Sequence, residues 1–182
     1  MLSIGIFSGS FNPVHIGHLA VANYICEYES LDEVWFLVTP QTPYGDKVVE
    51  YSLERRLLWL QTAIRDYPKF KVSDFERQLS PPYYTYRTLR ALQEQHPDCR
   101  FSLLIGADNW AIFDRWKESE ALLNEFQVIV YPRKGAEDAL NKKPANVRFC
   151  PAPLIEISST FIRESMKSGK DLRFFLPEGI VI

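Results

Sequence analysis

Short apolar runs recur along the chain and predict β-strands. The run Val34–Val38 is apolar throughout, which is typical of a strand covered on both faces, as in a parallel sheet. Other short runs are bounded by turn-forming residues in the same way. We therefore predict strands at residues 4–7, 34–38, 70–72, 101–105, 126–131 and 148–150.

The segments between these runs carry the spacing of amphipathic helices. Leucines at positions 53, 57 and 60 fall on one helical face, and Ser52 before them is a suitable N-cap. The pattern predicts helices over residues 18–29, 53–64, 84–95 and 116–124, and a last one that Ser159 caps and Gly169 ends. Residues 39–50 and 133–145 read as polar loops, the second of them mobile.

Alternating strands and helices predict the fold class. Strand–helix–strand units at this spacing form parallel sheets through right-handed crossovers. We expect an α/β protein with a Rossmann-like, doubly wound parallel sheet and a small helical C-terminal part. We expect residues 1–182 to form a single domain, because this length suits one well-formed core.

Composition narrows the function classes. The formal charge of −2 gives no reason to expect binding to nucleic acid, and no apolar run approaches a membrane span. The start of the chain is too short and uncharged for a signal peptide. Cys26, Cys99 and Cys150 are scattered and lack metal-ligand spacing, so we expect reduced thiols, no metal site and a cytoplasmic protein.

The first strand leads into the most informative stretch. Ser8-Gly9-Ser10 has little side chain to obstruct a ligand, and His15 and His18 stand three apart where a helix begins. Open α/β sheets bind ligands between a strand's carboxyl end and a helix's amino end, and free amides there favour phosphate. The two imidazoles add donors that can carry positive charge. The spacing fits neither the Walker loop nor the dinucleotide fingerprint.

A second candidate anion site lies near the end of the chain. Ser159 and Thr160 open a helix, and Arg163 lies on the same face. Two hydroxyls, free amides and a guanidinium could hold a polyphosphate. By itself, the same pattern also fits an ordinary serine cap beside a solvated arginine.

These two stretches resemble the signatures of one superfamily. His15-Ile16-Gly17-His18 is similar to the HxGH motif of nucleotidyltransferases, with Gly9–Pro13 similar to its G-[ST]-F-[DN]-P lead-in. Residues 157–163, ISSTxxR, resemble the second signature. Residues 82–89, PYYTYRTL, resemble a P-S-Y-T-x-x-T-L stretch of the bacterial nicotinate mononucleotide adenylyltransferases, and Trp116 stands where that family stacks a tryptophan on the pyridine ring.

The resemblance implies an activity and a set of site residues. It implies adenylyl transfer from ATP to nicotinate mononucleotide, with Mg²⁺ carried on the ATP phosphates. The implied catalytic residues are His15, His18 and Arg163. The implied ATP contacts are Gly9, Ser10, Phe11, Gly106, Asp108, Ser159 and Thr160. The implied mononucleotide contacts are Asn12, Lys47, Thr85 and Trp116.

The chain departs from the family pattern in places. Ser8 and Asn12 are mild changes in the first loop. The family's PPHK-like segment reads TPYGDK here and lacks the histidine, which puts the phosphate contact of Lys47 in doubt. The sequence leaves a homo-oligomer open, and it does not decide between nicotinate and nicotinamide.

Other functions fit part of the pattern. Phosphopantetheine adenylyltransferases also carry a [TH]xGH and an ISST segment, but lack the pairing of residues 106–108 with a tryptophan. Cytidylyltransferases fit less well, because their second signature reads RTxGIST. A catalytically silent nucleotide-binding module is the alternative outside the enzymes, although His15, His18 and Arg163 are all intact.

Overall fold

A computed structural model describes residues 1–41, 49–136 and 144–182. Its strands are β1 (Leu2–Gly9), β2 (Glu33–Val38), β3 (Phe70–Ser73), β4 (Cys99–Gly106), β5 (Gln127–Tyr131) and β6 (Val147–Phe149). Its α-helices are α1 (Ile16–Tyr28), α2 (Leu53–Ile64), α3 (Thr85–Gln95), α4 (Ala107–Trp110), α5 (Ser119–Glu125) and α6 (Ser159–Lys167). Short 3₁₀ turns occupy Phe75–Gln78, Phe113–Arg115 and Arg173–Phe175.

The six strands form one parallel sheet in the order β3-β2-β1-β4-β5-β6. The chain runs outward from β1 to β3, then returns to the other side of β1 with β4. Strand order therefore reverses between β1 and β4, where Phe7 lies beside Leu104. Ligands in open α/β sheets bind at the carboxyl end of such a reversal.

Two layers of helices cover the sheet, as the sequence predicts. Side chains of β1 alternate between the layers. Phe7 packs into a core that contains the buried faces of α1, α2 and α6, whereas Ile4 and Ile6 pack into a core with α3, α4 and α5. Ile162 of α6 is fully buried in the first core. The doubly wound fold and its helical C-terminal part are confirmed.

Three details differ from the sequence predictions. The helix expected from Trp116 begins only at Ser119, because Trp116 is extended and Glu118 has φ of 60°. A short helix, α4, follows β4 directly and was not predicted. Ser158, not Ser159, caps α6, because its hydroxyl accepts the amide of Phe161 at 3.1 Å.

Cys26, Cys99 and Cys150 are free. In the parts of the chain that the structure describes, no helix is long and apolar enough to cross a membrane.

Candidate active site

A cleft of about 480 Å³ opens at the reversal of strand order. The end of β1, with Ser8 and Gly9, and the following Ser10 form one wall. Thr85 at the start of α3 and Trp116 also line the cleft. The sequence predicted contacts at four of these positions (Gly9, Ser10, Thr85 and Trp116), which lie far apart along the chain.

The two histidines hold each other at the start of α1. His15 Nδ1 accepts the amide of His18 at 3.3 Å, and His18 Nδ1 accepts the amide of His15 at 3.2 Å. The rings stack with 3.6 Å between centroids and 20° between planes. This is a reciprocal capping box in which imidazoles replace the usual serine and glutamate. Gly17 leaves room for it, since a Cβ there would lie 3.0 Å from His15 Nδ1.

These hydrogen bonds determine the tautomer of both rings. An Nδ1 that accepts an amide proton carries none itself, so a neutral ring has its proton on Nε2. Burial, with the charge of Arg133 adding to it, lowers the pKa of His15 to about 3. Burial, His15 and Arg133 also lower the pKa of His18 well below its ordinary value. Both imidazoles are therefore neutral Nε2–H donors in the folded protein, because burial opposes the positive charge that an imidazole can carry.

The second signature folds back onto the first loop. Ser159 Oγ donates to the carbonyl of Pro13 at 2.8 Å, and Arg163 Nη1 donates to the carbonyl of Asn12 at 2.6 Å. Arg163 Nη2 also donates to Thr160 Oγ1 at 3.3 Å. The structure thus brings together two motifs almost 150 residues apart, as a shared anion site requires.

The loop between β1 and α1 joins the cleft to these groups. Phe11 is 2% exposed and its ring packs on His18 with centroids 5.1 Å apart, so only its backbone is available to a ligand. Asn12 is buried too, and its Oδ1 accepts the amide of Tyr51 at 3.1 Å. The histidines and the α6 residues stand outside the cleft lining, and residues 9–13 connect the two groups.

The carboxyl end of β4 carries the next predicted contacts. Gly106 lines the cleft, and a Cβ there would lie 2.4 Å from Asp108 Oδ1 and 2.7 Å from Arg133 Cγ, so a larger residue would displace both side chains. Asp108 is exposed, with 3.8 Å between its Oδ1 and Arg133 Nε. Sequence reasoning placed Arg133 in a mobile loop. Arg133 lies just after the carboxyl end of β5, which is at the same edge of the sheet as the end of β4. That position in the sequence could have indicated that Arg133 lies near the site.

The part of the cleft near Thr85 and Trp116 is aromatic. Trp116 is half-buried, lies 5.2 Å from the Phe113 ring and faces the cleft beside Tyr83, Tyr84 and Thr85. No side chain of the described residues caps the start of α3, so its first amides remain available to an anion. Lys47 lies outside the described residues.

Two buried charged residues near the cleft escaped the sequence analysis. Glu76 is 3% exposed and lines the cleft; Thr88 donates to its Oε1 at 2.9 Å, while its Oε2 has no partner among described residues. Burial raises the pKa of Glu76, although the hydroxyls of Thr39 and Thr88 oppose this. Arg56 is 1% exposed. Arg56 lies four and eight residues before Leu60 and Ile64, so all three share one face of α2. That position on an apolar helical face was the signal in the sequence that Arg56 would be buried.

No group of three or more His, Cys, Asp or Glu side chains in the described ranges could hold a metal ion. A divalent cation that arrives with a nucleotide would be bound mainly by phosphate oxygens and water, as Mg²⁺ usually is.

Comparison with known proteins places the chain in a family. A model described as cytidylyltransferase-like matches residues 6–165. The chain belongs to the cytidylyltransferase-like family. The nucleotidyltransferase resemblance of its two signatures is thereby confirmed.

Relatives of this chain extend the comparison. A Bacteroides fragilis protein named "Probable nicotinate-nucleotide adenylyltransferase" is 54% identical over 172 residues, which covers 94% of this chain and 86% of the relative. A protein of the same name from Azobacteroides pseudotrichonymphae is 47% identical over 180 residues, covering 98% and 94%.

A solved structure shares the fold. The Plasmodium falciparum nicotinic acid mononucleotide adenylyltransferase, complexed with NaAD, superposes with a TM-score of 0.79 at 23% identity. The match covers 95% of this chain and 88% of that one. Identity at this level supports the fold alone.

Proposed function

We propose that this protein is a nicotinate-nucleotide adenylyltransferase, which joins ATP and nicotinate mononucleotide to give nicotinate adenine dinucleotide and pyrophosphate in NAD biosynthesis. The observation that carries the proposal is the meeting of the two signatures, where Arg163 donates to the carbonyl of Asn12 three residues before His15. Relatives up to 54% identical that bear the name of this activity support it.

The reaction needs positioned donors and no protein nucleophile. A phosphate oxygen of the mononucleotide attacks the α-phosphorus of MgATP, a new P–O bond forms, and the bond to the β-phosphate oxygen breaks as pyrophosphate leaves. The attacking oxygen is already anionic, so no general base is required. Catalysis is then alignment plus stabilisation of the charge that develops on the phosphoryl oxygens.

The phosphate end of the site suits this task. The Nε2–H groups of His15 and His18 are neutral donors held rigidly by the capping box. They can bind phosphoryl oxygens without losing a proton to them. Arg163, with Ser159 and Thr160, would hold the β- and γ-phosphates that leave together.

The remaining assignments follow the cleft. Gly9, Ser10 and the backbone of Phe11 would lie along the nucleotides, and Gly106 and Asp108 would contact the adenosine ribose. Trp116 would stack on the cationic pyridinium of the mononucleotide, which suits an aromatic face. Thr85 and the uncapped amides of α3 would donate hydrogen bonds to the nicotinate carboxylate. Asn12 and Lys47 stay predicted mononucleotide contacts.

The test is pyrophosphate release from MgATP with three acceptors in parallel: nicotinate mononucleotide, nicotinamide mononucleotide and phosphopantetheine. We expect release with the first and much less with the second. Release with phosphopantetheine alone would replace the proposal with phosphopantetheine adenylyl transfer and remove Trp116 from the site. Silence with all three, in a folded protein that binds ATP, would indicate a binding module.

The cell compartment and the assembly state belong to the proposal as well. Three free thiols support a reducing, cytoplasmic compartment. A homo-oligomer and the lack of nucleic-acid binding stay predictions from the sequence.

A further inference from the structure

Arg56 is a buried cation whose partners are carbonyl groups. It is 1% exposed. Among the described residues, no carboxylate oxygen lies within 4.0 Å of its guanidinium nitrogens, and the nearby Glu54 pairs with Arg77 instead. Burying a guanidinium without compensation is costly, so its N–H groups need acceptors. Burial also lowers the pKa of Arg56, with Glu54 acting in the opposite direction. The acceptors that it finds are peptide oxygens.

Four carbonyl oxygens surround the guanidinium. Nη1 donates to the carbonyls of Ser10 at 2.7 Å and Thr39 at 2.9 Å. Nη2 donates to Pro40 at 3.3 Å, and Nε donates to Tyr51 at 3.1 Å. Four of the five guanidinium N–H groups are thus used, in a spread that no other side chain provides.

These carbonyls belong to three segments that meet at the site. Ser10 lies in the loop that connects the cleft to the histidines, Thr39 and Pro40 follow β2, and Tyr51 precedes α2. Other bonds join the same segments: the amide of Thr39 donates to Gly9 at 3.0 Å, and the amide of Tyr51 donates to Asn12 Oδ1. Arg56 is the charged centre of this network.

The bond to Ser10 has a consequence for the next peptide group. The Ser10–Phe11 bond is trans, so its C=O and N–H point in opposite directions. Turning the Ser10 oxygen inward to Arg56 directs the Phe11 amide the other way. It also removes a partial negative charge from a loop that would face phosphate. Phe11 has φ of 45°, a conformation that a residue other than glycine keeps only when its surroundings hold it.

We propose that Arg56 is a positioning residue for adenylyl transfer, which holds residues 9–12 in the conformation that presents their amides to the nucleotide phosphates. This inference rests on the proposed function. Arg56 does not touch substrate; it acts through the Ser10 carbonyl and through the two segments that flank residues 42–48.

The test compares Arg56→Lys with a matched control on the same helix. Lysine keeps the charge but cannot span four carbonyls, because its donors sit on one nitrogen. Ile64→Ala is the control, since Ile64 is buried two turns along α2 and away from the loop. Both variants are expected to lose thermal stability. Pyrophosphate release by both variants is measured well below their melting temperatures, and circular dichroism gives the folded fraction of each.

We expect Arg56→Lys to lose about 10²-fold in kcat per folded molecule, because small misplacements of catalytic groups cost rates of that size. Hydrogen exchange of residues 9–12 should accelerate in this variant alone. Ile64→Ala should keep kcat within about twofold. Equal losses in both variants, or wild-type kcat and exchange in Arg56→Lys, would overturn the proposal.

Two further outcomes are distinguishable. If Arg56→Lys does not fold, Arg56→Gln takes its place; if neither folds, Arg56 maintains the whole domain and the proposal is overturned. If the wild type releases no pyrophosphate with nicotinate mononucleotide, the proposed function has failed. Binding of a non-hydrolysable ATP analogue and exchange of residues 9–12 then still decide the role of Arg56.

Discussion

Two helices, α1 and α6, begin at this site, and the free amides of their first turns are capped by different side chains. In α1, imidazoles accept the free amides, and each ring keeps one nitrogen for another partner. In α6, Ser158 accepts the amide of Phe161 and leaves Ser159, Thr160 and Arg163 for other bonds. One helix start offers fixed, neutral donors, and the other offers hydroxyls with a full positive charge.

Their charge states differ for physical reasons. His15 is 2% exposed, so protonation would place a charge in a poorly solvated position near Arg133. The side chain of Arg163 is 20% exposed and always charged, and its Nε lies 3.5 Å from Glu50, which also pairs with Lys167 at 2.9 Å. A phosphate at α6 would compete with a carboxylate for these cations, whereas at α1 the two rings offer Nε2–H donors.

The largest effect is expected at His18. His18→Asn retains an acceptor near the position of Nδ1 but lacks the Nε2–H donor. We expect kcat to fall about 10³-fold with little change in melting temperature, because one donor to developing charge is lost. His18→Ala removes the cap as well and should nearly abolish turnover. Near wild-type turnover in either variant would show that the α1 donors are not catalytic.

Arg163 should have the next largest effect. Arg163→Ala removes the guanidinium from both the proposed ATP site and the Asn12 carbonyl, and we expect about 10²-fold loss in kcat/KM for ATP. Arg163→Lys should recover part of this, because lysine keeps the charge but not the forked geometry. Steady-state kinetics at fixed nicotinate mononucleotide measures both. If the two variants lose activity equally, the fork matters and the charge alone does not.

The neutral state of His15 can be tested through stability. Its pKa is about 3 in the folded protein, against 6.5 ordinarily. Between these values the unfolded chain binds the proton and the folded protein does not, so acid favours unfolding. The contribution of His15 to the free energy of unfolding is at its maximum above pH 6.5. It falls by about 1.4 kcal/mol for each pH unit between 6.5 and 3.

Urea unfolding of wild type and His15→Asn from pH 7.5 to 4.5 measures that contribution. Carboxylates titrate in both proteins, so their contribution cancels, and the difference reports His15 together with its effect on the pKa of His18. We expect the asparagine variant to lose less stability on acidification. Parallel curves would mean that His15 has the same pKa in the folded and unfolded protein, so that it gains its proton in the folded state below about pH 6.5 and both helix starts become cationic in acid.

The smallest effects separate capping from ligand contact in α6. Ser158→Ala removes the cap and should cost about 1 kcal/mol of stability with little change in turnover. Ser159→Ala removes the hydrogen bond to the Pro13 carbonyl that joins α6 to the first loop. This variant should raise the KM for ATP more than Ser158→Ala does, and should lose less stability than Ser158→Ala. Thermal melts and ATP titrations of the matched pair decide this; the reverse pattern would give the ligand role to Ser158.

Much of the site was predictable because its motifs are local. The spacing of His15 and His18, and of Ser159, Thr160 and Arg163, places each group on one helical turn, and a turn is a property of the sequence itself. Parallel strands put their carboxyl ends at one edge, so the convergence of Gly9 and Gly106 also followed from the predicted topology.

Other features depended on contacts distant in sequence. The resemblance predicted a ligand contact at Trp116, but its local pattern reads as helical; the structure shows an extended chain there, with Trp116 lining the cleft. The neutrality of the histidines arises from burial and from Arg133, which no local pattern reveals. Sequence alone determined the strands, the helical turns and the residue types at the site. Tertiary structure decided the protonation of the histidines and the partners of Arg56, because solvation and hydrogen bonding depend on which distant segments come together.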